Sequence, residues 1–164
     1  MTRAELYLKT IFSCIACDGE IAPEEIQMVR EISQVEDLFQ GLNVEKIINS
    51  WISDINEIGT VFLQRFLKEI DTVAMSDDEQ LTLVTLAFKV IEADNVTEYA
   101  EIKFFKKIRK HLSISDDYIL ATHPDKEIFL LQDINEPEDL TWDTNTHFDL
   151  INIEALGQDN QNED

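Results

Sequence analysis

The chain has 164 residues, an apolar fraction of 44% and a formal net charge of −21. Length and apolar fraction suit one folded domain with an appendage. The charge sets the chain against polyphosphates and anionic membrane surfaces, which excludes direct nucleic-acid binding and favours cations or basic protein surfaces as partners.

From the N-terminus, residues 5–17 place Leu8, Ile11, Phe12 and Ile15 on one helical face. Asp18-Gly19 stops that helix, because a glycine past the end accepts the backbone turn that other residues resist. Pro23 fits a first helical position, Glu24 and Glu25 suit a positive helix N-terminus, and Ile26, Val29 and Ile32 continue an apolar stripe. A third helix is predicted over 43–56, capped by Asn43, with Ile47, Ile48, Trp51, Ile52 and Ile55 inward. Gly59 interrupts, and residues 60–73 read as a further helix through Phe62, Leu63, Phe66, Leu67 and Ile70. Ser76-Asp77-Asp78-Glu79 is a capping box, opening a helix that carries Leu83, Leu86, Ala87, Val90 and Ile91. Thr97 is predicted to cap the next, with Ile102, Phe105, Ile108 and Leu112 as its stripe and five basic residues between Lys103 and Lys110. Ser115-Asp116-Asp117 starts a short helix ending before Pro124.

The character then changes. From Asp133 onward there is no Lys or Arg. The aromatic and branched residues of 127–131 and 148–153 predict short extended segments. These can pair as a β-hairpin, wrap the helical core or dock on a partner. Residues 157–164 are polar and expected to be disordered. The sequence thus divides into a helical domain over 1–123 and an acidic extension over 124–164.

An acidic segment occurs twice. Cys17-Asp18-Gly19-Glu20-Ile21 leads to Glu25, and Ala93-Asp94-Asn95-Val96 leads to Glu101. In each copy an Asp follows an apolar stretch and a Glu, seven residues on, opens another. Sliding one copy over the other also pairs Ile26 with Ile102, Val29 with Phe105 and Ile32 with Ile108. Two helix-turn-helix units of this kind bring Asp18, Glu25, Asp94 and Glu101 to equivalent places. Carboxylates in turns, completed by backbone carbonyls and water, are what hard cations take as ligands. The same residues also suit plain helix-end chemistry, with the Asp closing a turn and the Glu reaching back to free amides. Glu20, Glu24 and Glu98 are secondary candidates.

This pattern resembles the TerB-like family, named for a tellurite-resistance protein, whose hallmark is an Ala-Asp-Gly-Glu-Ile type segment ending one helix and a Glu early in the next. The resemblance covers residues 5–121, including the closing Lys110-His111-Leu112-Ser113-Ile114-Ser115. Cys17 stands for the usual Ala and Asn95 for the expected Gly, and Asn tolerates a left-handed backbone. The resemblance implies an all-α bundle of two pseudo-symmetric halves and no enzymatic activity. It also implies metal binding through acidic residues, and a place in bacterial stress or phage-defence systems, often beside membrane proteins.

Other candidates are weaker. Cys14 and Cys17 end a helix beside acids, which opposes the thiolate that a redox pair needs, so they read as buried and inert. His111, His123 and His147 show no ligand spacing. The stretch from Asp143 to Glu154 echoes a calcium loop but has Phe148 where Gly is needed. Trp142 is a candidate partner anchor. No nucleophile elbow, phosphate loop or His-Glu-x-x-His is present.

The sequence-based expectation is a non-enzymatic, cytoplasmic protein-interaction subunit, with a divalent cation, calcium or magnesium, as candidate cofactor, that docks a protein partner or a membrane-associated complex without inserting in the membrane. On this view the C-terminal extension is a further docking arm. Two alternatives stand beside it: a metal-independent structural subunit of a larger assembly, and an acidic nucleic-acid mimic.

Overall fold

The computed structural model describes residues 1–35, 37–39, 41–93, 97–131 and 146–151. Among them lie seven α-helices and two 3-10 turns, and no strand. Helix α1 (Arg3–Ala16) begins where the Thr2 hydroxyl accepts the Glu5 N–H at 3.1 Å. Every residue from Leu6 to Ala16 is buried, so α1 is the axis of the bundle, not one of its walls. Of its buried polar members, Thr10 is satisfied locally and Lys9 by pairing, while Ser13 Oγ has no hydrogen-bond partner among the described residues. The Thr10 hydroxyl donates to the Leu6 carbonyl at 2.8 Å, and the Lys9 ammonium reaches Glu69 at 2.8 Å while lying against the Trp51 and Phe62 rings.

Gly19, at φ 88°, turns the chain out of α1, and Pro23 opens α2 (Pro23–Val35). A 3-10 turn at Asp37–Phe39 buries Phe39 against α1 and α2. Helix α3 (Val44–Ile58) starts on Asn43, whose side chain accepts the Lys46 N–H at 3.1 Å. It stops at Gly59, whose N–H still closes the last turn on the Ile55 carbonyl at 2.8 Å and whose positive φ of 62° takes the following chain out of the helix. Helix α4 (Val61–Ile70) follows, then α5 (Asp77–Ile91). In α5's capping box Ser76 Oγ accepts the Glu79 N–H at 3.2 Å and Glu79 accepts the Ser76 N–H at 2.9 Å. Helices α6 (Tyr99–Arg109) and α7 (Asp116–Thr122) complete the bundle.

Helix α1 packs on α3, α4, α5 and α6, and α5 packs on α1 and α2. With α1 matched to α5 and α2 to α6, the crossed pairs α1–α6 and α2–α5 are equivalent, the pattern that two related halves produce. Gln80, buried at the start of α5, fastens the far end. Its Oε1 accepts the N–H groups of Ser113 and Ile114 at 2.8 and 3.2 Å, and its Nε2 donates to Ser113 Oγ at 2.9 Å. No helix among the described residues is long and apolar enough to cross a membrane.

Two local expectations are corrected. The cap of α6 is Glu98, not Thr97, because the Glu101 carboxylate reaches back to the Glu98 N–H and fixes the first turn there. Residues Glu127–Leu130 form a 3-10 turn instead of an extended segment. The turn drives Phe129 into contact with Phe88 and Phe105, at ring-centroid distances of 5.1 and 5.5 Å. Tertiary packing thereby overrides the strand-like composition. Residues 148–151 do wrap the helical core, and they carry no strand pairing. Asp94, Asn95, Trp142, the outer positions of the calcium-loop echo, residues 152–153 and the tail lie outside the described residues.

Candidate functional site: paired acidic turns and an asparagine clamp

The first acidic turn is built by Asp18. Its Oδ1 accepts the Glu20 N–H at 2.9 Å, which holds the chain in the reversal after α1. Burial raises the Asp18 pKa; the Glu20 N–H opposes this, while the nearby charges of Glu98 and Glu20 add to it. Glu98 belongs to the second turn, so the two turns sense each other directly.

Glu25 and Glu101 occupy equivalent positions in the two units. Each is buried, at 6% and 5% exposure, where carboxylates are rarely found without partners. Glu25 Oε1 accepts the Ala22 N–H at 2.9 Å and Glu101 Oε1 accepts the Glu98 N–H at 3.0 Å. Both are third residues of their helices reaching back over the first turn. The repeat seen in the sequence is therefore a repeat of hydrogen bonding.

Both glutamates bear on the same pair of cysteines. Burial pushes the Cys14 thiol up, with Glu101 and Glu25 raising it further. Cys17 is pushed up by burial first, then by Cys14, Asp18, Glu101 and Glu25. Three of the four predicted carboxylates thus act electrostatically on Cys17, whose Sγ donates to the Cys14 carbonyl at 3.2 Å. Neither cysteine is in a disulfide, and their burial favours the thiol over the thiolate. Glu20, Glu24 and Glu98 are exposed at the rim. Among the described residues no group of three or more His, Cys, Asp and Glu is spaced to hold a metal ion; Asp94, the fourth predicted ligand, lies outside them.

No family model, curated protein or solved structure matches the chain. What the arrangement does is therefore argued from its own geometry.

A second constellation lies on α3, where Asn49 and Asn56 grip the returning chain. Asn56 Nδ2 donates to the Phe148 carbonyl at 2.8 Å, and its Oδ1 accepts the Phe148 N–H at 2.8 Å. Asn49 makes the same pair with Ile151, both bonds at 2.9 Å. Each amide stands in for one residue of a neighbouring antiparallel strand, satisfying the N–H and C=O of a single backbone residue. The spacing explains the match. Seven residues on α3 advance about 10.5 Å, while three residues of extended chain advance about 10 Å. Side chains complete the seat: Phe148 is buried in the core, and Ile151 covers an apolar pocket lined by Phe12, Ile15, Ile21, Ile26, Val29 and Ile48.

These asparagines are not legible as functional in the sequence. On a helix flank Asn reads as a solvated residue, and its partners lie about a hundred positions away. The only available signal is their spacing of two full turns on the flank of the apolar stripe.

Proposed function

We propose that this chain is a non-enzymatic, TerB-like protein-interaction subunit of a bacterial stress or phage-defence system, whose paired acidic turns take a divalent cation, calcium or magnesium. The observation that supports this reading is the repeated turn chemistry: Asp18 closes the first acidic turn, and Glu25 and Glu101, at equivalent buried positions in the two halves, each reach back over a helix start. Carboxylates repeated in this way leave a negative field at the turns. A hard cation relieves that field with oxygen ligands and ties the two halves together. Binding of this kind gives the partner-docking surface two electrostatic states, acidic without the ion and less so with it. The thiols contribute no metal-binding charge, which favours calcium or magnesium over softer ions.

The test is calcium titration into chelator-treated protein by calorimetry, with magnesium and an Asp18→Asn/Asp94→Asn variant as controls. Saturable heat that the variant loses supports the cation role. Absence of heat in the wild-type chain removes it.

A second reading has its own observation. Glu25 and Glu101 already cap their helices, so a metal-independent structural subunit uses them only to hold the fold. It predicts that thermal stability is the same with chelator and with calcium.

A further inference from the structure

We propose that the cleft between α3 and α4 binds a free cationic amino acid, a ligand with one carboxylate and two positive groups. The inference goes beyond the protein-interaction reading and does not depend on it. The cleft holds about 350 Å³, at the small end of the roughly 300–1,000 Å³ of small-molecule sites. Asp54, Glu57 and Ile58 line it from α3, and Phe62, Arg65 and Glu69 line it from α4. Each set recurs at three- and four-residue intervals and so shares one face of its helix, and the two helices pack together. Lys9 of the central helix α1 lines the cleft as well.

Charged side chains of both signs share this small space. Two of them cancel. Lys9 is the charged residue within the buried run of α1, and its ammonium meets both Glu69 carboxylate oxygens, at 3.0 and 2.8 Å. A buried ion pair is seldom a net gain in stability, because desolvating both charges offsets their attraction. In the cleft it fixes a polar wall. The Glu69 side chain stays 30% exposed, with acceptor capacity beyond its bonds to Lys9. The other charges are uncommitted. The side chains of Asp54, Glu57 and Arg65 are exposed and take no hydrogen-bond or ion-pair partner among the described residues. They set one guanidinium against two carboxylates, and the complement is a ligand with one carboxylate and two cations. Arg65 offers its planar fork to the ligand carboxylate. Asp54 and Glu57 take the α-ammonium and the side-chain cation, with the aliphatic stem against Ile58 and Phe62. Free lysine and free arginine have this pattern. A diamine leaves Arg65 without an anion, and a dicarboxylate sets its second acid against Asp54 and Glu57.

The experiment titrates L-lysine and L-arginine into the full-length protein by calorimetry, in chelator and at matched low ionic strength, so that no divalent cation takes part. Saturable heat is expected from at least one of the two. Arg65→Gln should weaken that binding at least about tenfold, the loss of a charge-assisted contact. Lysine amide, which lacks the carboxylate, should bind the wild-type chain correspondingly weakly and lose little more to Arg65→Gln, since both changes remove the same contact. Asp54→Asn/Glu57→Gln should also cost at least about tenfold. No saturable heat from either amino acid overturns the proposal, as does binding indifferent to Arg65 or to the two acids. Should a variant lose its helical circular-dichroism signal, amide NMR shifts of the wild-type chain on lysine addition decide. Saturable shifts centred on residues 54–69 support the cleft, and shifts elsewhere, or none, overturn it. Calcium titration is a separate measurement, and its outcome bears on the acidic turns alone.

Discussion

Replacing Asn56 with Ala should open the strap, residues 146–151 as Asn49 and Asn56 hold them on α3, without unfolding the bundle, and the size of the effect follows from the contacts. Four amide–backbone hydrogen bonds contribute about 2–6 kcal/mol together, at roughly 0.5–1.5 kcal/mol each. Seating Phe148 and half-burying Ile151 adds about 3–5 kcal/mol. Against this, ordering the backbone of residues 146–151 costs about 6–12 kcal/mol. The two sides agree to within a few kcal/mol, so the strap is held marginally while the bundle beneath it is not. Asn56→Ala removes two bonds, worth about 1–3 kcal/mol. That corresponds to a rise in strap opening of roughly 5- to 150-fold. Amide hydrogen exchange followed by NMR reads this directly. Protection of the Phe148 amide should fall by that factor and that of Ile151 should fall with it, while amides in the buried face of α5, such as those of Leu83 and Ala87, keep theirs. Unchanged protection at Phe148 would refute the balance, as would a parallel loss in α5, which would make strap and bundle one cooperative unit.

Three further outcomes are expected. Phe129→Ala removes a ring packed on both Phe88 and Phe105 and should cost about 3–5 kcal/mol in urea unfolding; a loss below about 1 kcal/mol would detach the 3-10 turn from the core. Asp18 holds its proton more tightly when folded, so its contribution to stability is full below the ordinary aspartate pKa and is lost as pH rises through the raised folded value. Asp18→Asn, which can still accept the Glu20 N–H, should therefore raise Tm relative to wild type near neutral pH in chelator, with the gap closing at acid pH; a gap that widens on acidification contradicts the sign. Cys14 and Cys17, buried as thiols, should resist a thiol-alkylating reagent at neutral pH until denaturant is added, and native-state labelling at the denatured rate would contradict their burial.

Most of the helical frame was legible because its boundaries are written in local chemistry. Asn43, Ser76 and Ser115 cap where a side-chain oxygen next to an apolar run predicts, and Pro23 and Gly59 punctuate as their backbone preferences require. The pairing of Glu25 with Glu101 was legible for the same reason, since each acts within its own first turn. What stayed hidden depends on distant partners. Phe129 sits in an apolar run with the composition of a strand, and its packing on the rings of Phe88 and Phe105 goes with a 3-10 turn instead. Asn49 and Asn56 acquire meaning only when residues 148 and 151 arrive, and no local rule anticipates that.

The complete burial of α1 sets an order of events during synthesis. This helix is made before any of its neighbours, yet its cover includes α5, and Tyr7 waits for the Glu79 carbonyl 72 residues downstream. Until α5 emerges, α3 and α4 can cover Phe12 through Trp51 and Phe62, while the face of α1 that packs on α5 lacks its cover. A nascent chain in that condition is a client for holding chaperones and a target for proteases. Sequence changes that slow the formation of α5, such as loss of the Ser76 capping box, should lower yield in cells by more than their effect on final stability alone.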